Sequence, residues 1–262
     1  MNKSYIASLR LDRLMGNLGY GTRKHIKALA KAGRIKLDGT PLNNAATKVA
    51  ITKDLTSRLL IEGEKIDPLP GLVLLMNKPT GMTCSHKEEG AKVYDLLPSR
   101  WRARKIKIST VGRLDKNTSG LLLLTDNGVL SHKIIAPRHK LAKRYRVTLA
   151  RPLIGHEADV FASGRLTLKG DNKPLLPALL EVDNSEYTGT TLVKQCTNTK
   201  PIVSLTIYEG RYHQIRRMFS ALGNHVESLH RECLGGLVLP NNLKAANYRL
   251  LNDNDIAAIF CE

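Results

Sequence analysis

The chain is short of acid and of aromatic rings. Against 41 Lys and Arg it sets only 23 Asp and Glu, a formal net charge of +18, with one Trp and three Phe among 262 residues. So basic a protein is poorly suited to small neutral metabolites and well suited to a polyanion, whose phosphates it would grip with salt-sensitive strength. A membrane surface is the less favoured polyanion. The longest apolar runs, such as Leu121 to Leu124, are far too short to span a bilayer, and no lipidation motif is present. Cysteine is scarce as well: Cys84, Cys196, Cys233 and Cys261 are scattered without a C-x-x-C. That excludes a disulfide framework and reads as reduced thiols in a cytoplasmic protein. The opening M-N-K-S-Y-I-A-S-L-R is broken by charge and lacks the apolar core of a secretory signal. What is present is a 42% hydrophobic content, enough for a real core, at a length that points to one large or two unequal domains.

A first unit is expected over residues 8–67. Leu9, Leu11, Leu14 and Leu18 share one helical face and end at Gly19 and Gly21. Thr22 is placed to cap a second helix that stops at Gly33, and R-I-K-L-D-G-T-P-L reads as a hairpin turning at Asp38-Gly39. From Met1 to Glu62 there are 12 Lys and Arg and 4 Asp and Glu, so this unit is strongly cationic. Arg23, Lys24, Lys27 and Lys31 recur at near-helical spacing, either as a solvated face or as a phosphate grip, the latter favoured by the whole-chain charge. G-E-K-I-D-P-L-P-G, residues 63–71, reads as a linker.

From residue 71 to 262 the chain is rich in short β-like runs, with helices expected near 129–135, 156–162, 213–222 and 253–260. The fold class is α+β: a mixed, mainly antiparallel sheet with peripheral helices. Lys105 to Val111 alternates as a strand does, and the polar segment 184–200 reads as an extended surface hairpin. S-R-W-R-A-R-K-I-K at 99–107 and R-H-K-L-A-K-R-Y-R at 138–146 interleave cations with Trp101 and Tyr145, a pattern that suits phosphates with splayed bases. Trp101 is equally well read as a packing anchor.

The segment V-G-R-L-D-K-N-T-S-G-L-L-L-L-T-D, from Val111 to Asp126, holds the most chemistry. Counted from Asp115, its oxygens imitate a calcium loop. Asp126 is short where a bidentate Glu is needed, flanking helices are missing and the surroundings are cationic, so no metal is expected. His225, His230 and Cys233 match no common zinc spacing. A turn role for Asp115 stays open on these residues alone.

R-L-D-R-L followed by T-R-K-H-I-K-A-L-A-K-A-G-R-I-K-L-D-G resembles the S4 RNA-binding module. The resemblance implies two helices and a short sheet on structured RNA, with Arg10, Arg13, Arg23, Lys24, Lys27, Lys31 and Arg34 as contacts. G-R-L-D at 112–115, K-R-Y-R-V-T-L at 143–149 and E-G-R-Y-H-Q-I-R-R-M-F at 209–219 are similar, in order, to the pseudouridine synthases. N-K-P precedes them at 77–79, and A-L-G-N-H-V-E-S-L-H-R-E follows at 221–232. The branch is the one that couples an S4 module to a catalytic domain and modifies ribosomal RNA, most similar to the form acting on the small subunit.

That resemblance implies an isomerisation of uridine without cofactor or metal. It makes Asp115 the carboxylate beside sugar and base, as nucleophile or as base toward a ribose proton. It pairs Arg216 with Asp115, places Ile215 beneath the base and stacks Tyr145 on uracil. Arg113, two residues from Asp115 on one face of extended chain, is expected to fill the space of a flipped base. His213, Gln214 and Arg217 complete the expected substrate contacts, and Lys143, Arg144 and Arg146 are expected on flanking phosphates. The expected partner is small-subunit ribosomal RNA, naked or in an assembly intermediate, met by a monomer. The same chemistry on large-subunit RNA and a non-catalytic assembly factor are the alternatives.

Overall fold

Leu9 and Leu11 share a helical spacing but not a helix. In the computed structural model, which describes residues 7–182 and 200–261, β1 is Ser8–Arg10 and α1 begins only at Leu11, running to Asn17. Leu9 pairs with Val49 across an antiparallel ladder, so strand pairing claims it before the helix starts. Thr22 caps α2, Arg23–Lys31, by accepting a hydrogen bond from the His25 amide. Ile26, Leu29 and Ala30 are buried while Arg23, Lys24, Lys27 and Lys31 are exposed.

β2 (Ile35–Leu37) and β3 (Thr40–Pro41) form the expected hairpin, with positive φ at both Asp38 and Gly39. β4 (Lys48–Ala50), α3 (Leu55–Arg58), β5 (Leu59–Ile61) and β6 (Glu64–Lys65) follow. A four-stranded sheet runs β3-β2-β5-β6, over a core of Leu11, Leu14, Met15, Leu18, Ile26, Ile35, Leu55 and Leu59.

The stretch expected as a linker is largely structured. Glu64–Lys65 pairs with β5, Ile66 is buried and the Gly71 amide donates to the Asp126 carboxylate at 2.7 Å. The chain forms two units, and the first includes Leu97–Ser109 and Thr125–Asn127 as well as residues up to Leu72. α4, Ser99–Arg102, belongs to it. Arg100 forks onto Asp67 at 2.5 and 3.0 Å and lies over the Tyr20 ring. Gly19 is required there, because a Cβ would stand 2.4 Å from the Arg100 carbonyl oxygen. Trp101 is buried and bonds Asp67, which makes it a packing anchor. Arg104 is buried too and donates to the Pro68 carbonyl at 2.6 Å.

The second unit is built on a nine-stranded sheet. Its members are β7 (Val73–Lys78), β8 (Ser109–Thr110), β9 (Thr118–Thr125), β10 (Lys143–Leu149), β11 (Leu179–Val182), β12 (Ile202–Ile207), β13 (Val226–Leu234), β14 (Leu237–Val238) and β15 (Tyr248–Leu250). The order is β11-β12-β10-β13-β9-β7-β15, with β8 on β9 and β14 on β13. β13 and β9 pair in parallel, whereas β10 pairs antiparallel with both β12 and β13. The sheet is mixed and mainly antiparallel, as expected.

Only Ser109–Thr110 of the run expected as a strand at 105–111 is extended in a ladder; Lys105 instead donates its amide to the Asn17 carbonyl. The helices α5 (Gly128–Ile135), α6 (Glu157–Ala162), α7 (Gln214–Ala221) and α8 (Asp253–Ala258) lie where spacing put them. The hairpin expected at 184–200 falls outside the described residues, apart from Lys200.

Candidate active site

The side chains of β10 alternate, and that alternation sorts the candidates. Tyr145, Val147 and Leu149 are buried on one face, while Arg144 and Arg146 are exposed on the other. Beside Tyr145, across the neighbouring strands, stand Ile207, Leu229 and Thr118. The loop before β9 brings Arg113 and Asp115 to this face, and the first turn of α7 brings His213, Gln214, Ile215 and Arg216. Together with Arg211 they enclose a cavity of about 90 Å³. Seven expected residues are thus gathered: Asp115, Tyr145, Arg216, Arg113, His213, Gln214 and Ile215.

Three are not. Arg144 lies across the sheet and faces a different cleft, paired with Glu232 at 3.5 Å. Arg217, one turn along α7, is turned away and donates to Asp171 at 2.6 Å and to the Lys169 carbonyl at 2.7 Å. Lys143 is on the Tyr145 side but largely buried, donating to the Leu141 carbonyl at 2.9 Å. Burial, with Arg231 nearby, pushes its pKa down to about 8 against an opposing pull from Glu209.

The contacts within the cleft also differ from the expected ones. Arg216 does not fork onto Asp115. It donates to the carbonyls of Val226 at 2.8 Å and Asn117 at 3.1 Å, bridging α7 to the loop that carries the acid. The side chain facing Asp115 is His213, with Nε2 3.6 Å from Oδ1. His213 holds left-handed backbone (φ 49°) and stacks on Tyr212 at 3.9 Å, a conformation that turns the chain sharply into α7. Gln214 spends its amide internally: its oxygen accepts from the Arg211 amide, and its nitrogen donates to Glu209. Arg113 pairs with Glu88 at 2.6 Å, both largely exposed.

Several supports were not foreseen. Lys78 is fully buried, and its ammonium donates to the carbonyls of Pro79, Asp115, Lys116 and Thr118 at 2.8–3.2 Å. It gathers the turn behind Asp115 around one charge, at a desolvation cost that lowers its pKa. Asp171 accepts from both Arg211 and Arg217, which hold its carboxyl below the usual range. N-K-P and E-G-R contain Lys78 and Arg211 in plain view, but nothing local to Asp171 announces it.

No metal reading gains support from the geometry. β9 runs extended through the would-be calcium loop, with Ser119 bonded to His230 and Asp126 to Gly71. β13 spreads His230 and Cys233 along a strand. Among the described residues no group of three or more His, Cys, Asp or Glu could hold an ion.

In the first unit Arg13 and Arg23 line an open groove with Lys105, of about 380 Å³. Two expected contacts are already engaged: Arg10 forks onto Asp12 at 2.7 and 3.1 Å, and Arg34 pairs with Glu62 at 2.7 Å.

Residues 72–221 match the family described as RNA pseudouridylate synthase. The chain belongs to that family. Residues 9–54 match the S4 domain, so this pseudouridine synthase carries an RNA-binding module ahead of its catalytic fold. The ribosomal small subunit pseudouridine synthase A of Vibrio cholerae is 35% identical, over 96% of this chain and 100% of that one. Its Escherichia coli namesake is 36% identical over 96% and 100%. A crystal structure titled pseudouridylate synthase covers 96% of this chain and 99% of its own, at 33% identity and a TM-score of 0.62. In this pseudouridine synthase no helix among the described residues is long and apolar enough to cross a membrane.

Proposed function

We propose that the protein converts one uridine of small-subunit ribosomal RNA to pseudouridine, with Asp115 as the essential carboxylate. The observation that carries the reading is that Asp115, Tyr145 and Ile215 line one small cavity ringed by Arg113, Arg211, His213 and Arg216. The relatives that match end to end are named for the small subunit, which favours that RNA over the large-subunit kind.

The reaction breaks the bond from N1 to the ribose C1′, turns the uracil within the cavity and forms the bond from C5 to C1′. The proton on C5 leaves and N1 gains one, so nothing is oxidised or hydrolysed and no co-reactant is needed. Asp115 acts on the sugar as nucleophile or as base. Tyr145 and Ile215 confine the base between ring and methyl groups while it turns. His213 orients the carboxylate, and Arg216 and Lys78 fix the loop that bears it. These contacts would preorganise the acid against the sugar.

In this reading residues 8–67 recognise structured RNA through Arg13, Arg23, Lys24, Lys27 and Lys31. Residues 71–262 do the chemistry, in the cytoplasm, as a monomer, on naked RNA or an assembly intermediate. The test is a pseudouridine map of unmodified small- and large-subunit RNA, naked and protein-bound, after incubation with the protein and with Asp115→Ala. One new mark in the small-subunit RNA, absent with the variant, is the expected result. A mark only in large-subunit RNA would reassign the substrate. Tight binding without any mark would favour an assembly factor.

A further inference from the structure

The sheet has a second cleft on the face opposite Asp115, and its chemistry is unlike that of a covered core. Arg144 and Arg146 stand side by side there, two residues apart on β10 and so about 7 Å apart. His230 from β13 stands opposite Arg146. Together with Asn241 and Pro240 these residues line a cleft of about 290 Å³, room for one base with its phosphate and too little for a duplex.

The charges are unbalanced: Glu232 meets Arg144 at 3.5 Å, and no carboxylate pairs with Arg146 among the described residues. His230 is fixed by Ser119 Oγ at 2.9 Å from its Nδ1, which leaves Nε2 as the nitrogen available to a ligand. Val238 at the rim is 55% exposed, an apolar ledge beside polar groups.

We propose that this cleft binds a single-stranded nucleotide of the substrate RNA, distant in sequence from the uridine being modified. The Arg146 fork matches phosphate oxygens in number and plane, with the Arg144 charge beside it held partly by Glu232. The Asn241 amide and the His230 ring can read a base edge, while Val238 and Pro240 support its face, the combination by which unstacked RNA bases are held. An acidic peptide would use the arginines but has no call on the ledge and the amide together. The proposal rests on the RNA-modifying reading above, and it gives the enzyme a second point of recognition on the far side of its sheet.

The test uses the full-length protein and unmodified small-subunit RNA, naked and as the assembled subunit. Arg146→Glu is expected to weaken binding to naked RNA about tenfold and raise KM correspondingly, and to reduce the slope of log affinity against log salt by about one. Arg146→Lys should restore the slope but only part of the affinity, since a point charge cannot fork. A photocrosslinker at position 238 should join to one RNA segment that does not contain the modified uridine. Wild-type affinity and slope in Arg146→Glu would overturn the proposal. An effect seen with the assembled subunit and not with naked RNA would overturn it in favour of a protein partner. Wild-type protein that neither binds nor marks RNA would remove the functional reading and this proposal with it.

Discussion

Gly120 shows how a single residue without a side chain supports the site. It sits in β9 with φ of +101°, and a Cβ would stand 2.3 Å from the Arg231 carbonyl oxygen and 2.7 Å from its nitrogen. β9 and β13 touch backbone to backbone there, two strand positions from Leu229 and Thr118 at the cleft floor. Gly120→Ala is expected to cost at least about 2 kcal/mol and to lower the melting temperature by roughly 4–8 °C, read by a thermal scan. Lys143 offers a pH readout. Its pKa falls from 10.5 in the unfolded chain to about 8 in the fold, chiefly through burial. Between those values the unfolded chain holds more protons than the native one, so this group's contribution to stability rises with pH and levels off above about 10.5. The protein should gain about 2 kcal/mol relative to Lys143→Met between pH 8 and 10.5, after allowance for solvent screening. Equal pH profiles for the two would show that Lys143 is not held in the buried, depressed state.

At the scale of elements, the site depends on how α7 is anchored at its start. Arg211 and Arg217 flank its first turn and converge on Asp171 and the carbonyls of Lys169, Lys173 and Pro174. Asp171→Ala removes the one carboxylate that both guanidiniums share and so loosens the approach of His213 to Asp115. The expected effect is about a tenfold loss in kcat with KM little changed, because the acid is misplaced while the RNA-binding faces remain. Partial recovery in Asp171→Asn, which keeps acceptor geometry without charge, would separate positioning from mere folding. These elements were legible to unequal degrees. α2, α7, β9 and β10 were readable because periodicity and cap chemistry are local. The faces of β10 are readable too: adjacency in sequence sets Arg144 and Arg146 beside Tyr145, but alternation puts both across the sheet from it. Arg34, Arg217 and the packing of Leu97–Ser109 onto the first unit were not readable. Their partners lie 28, 46 and more than 30 residues away, and sequence spacing carries no such information.

For the whole molecule the governing quantity is the net charge of +18, and the structure divides its cations into two kinds. Arg10, Arg34, Arg100, Arg211 and Arg217 already serve carboxylates. Arg23, Lys24, Lys27 and Lys31 stand exposed along one face of α2, with no ion pair to any of them among the described residues. Only unpaired cations of this second kind, to which Arg146 also belongs, can release counterions when RNA binds. If six to ten phosphates are engaged, affinity should fall by about 10³ to 10⁵ between 50 and 200 mM salt. Removing Lys24 or Lys27 should lower the salt slope by about 0.7–0.9 each, while Arg34→Ala should leave it unchanged. Fluorescence titration of unmodified small-subunit RNA at four salt concentrations reads all three slopes. A loss of slope in Arg34→Ala equal to that in Lys27→Ala would mean that RNA competes successfully with Glu62 for Arg34, and that the basic face of the first unit extends beyond α2.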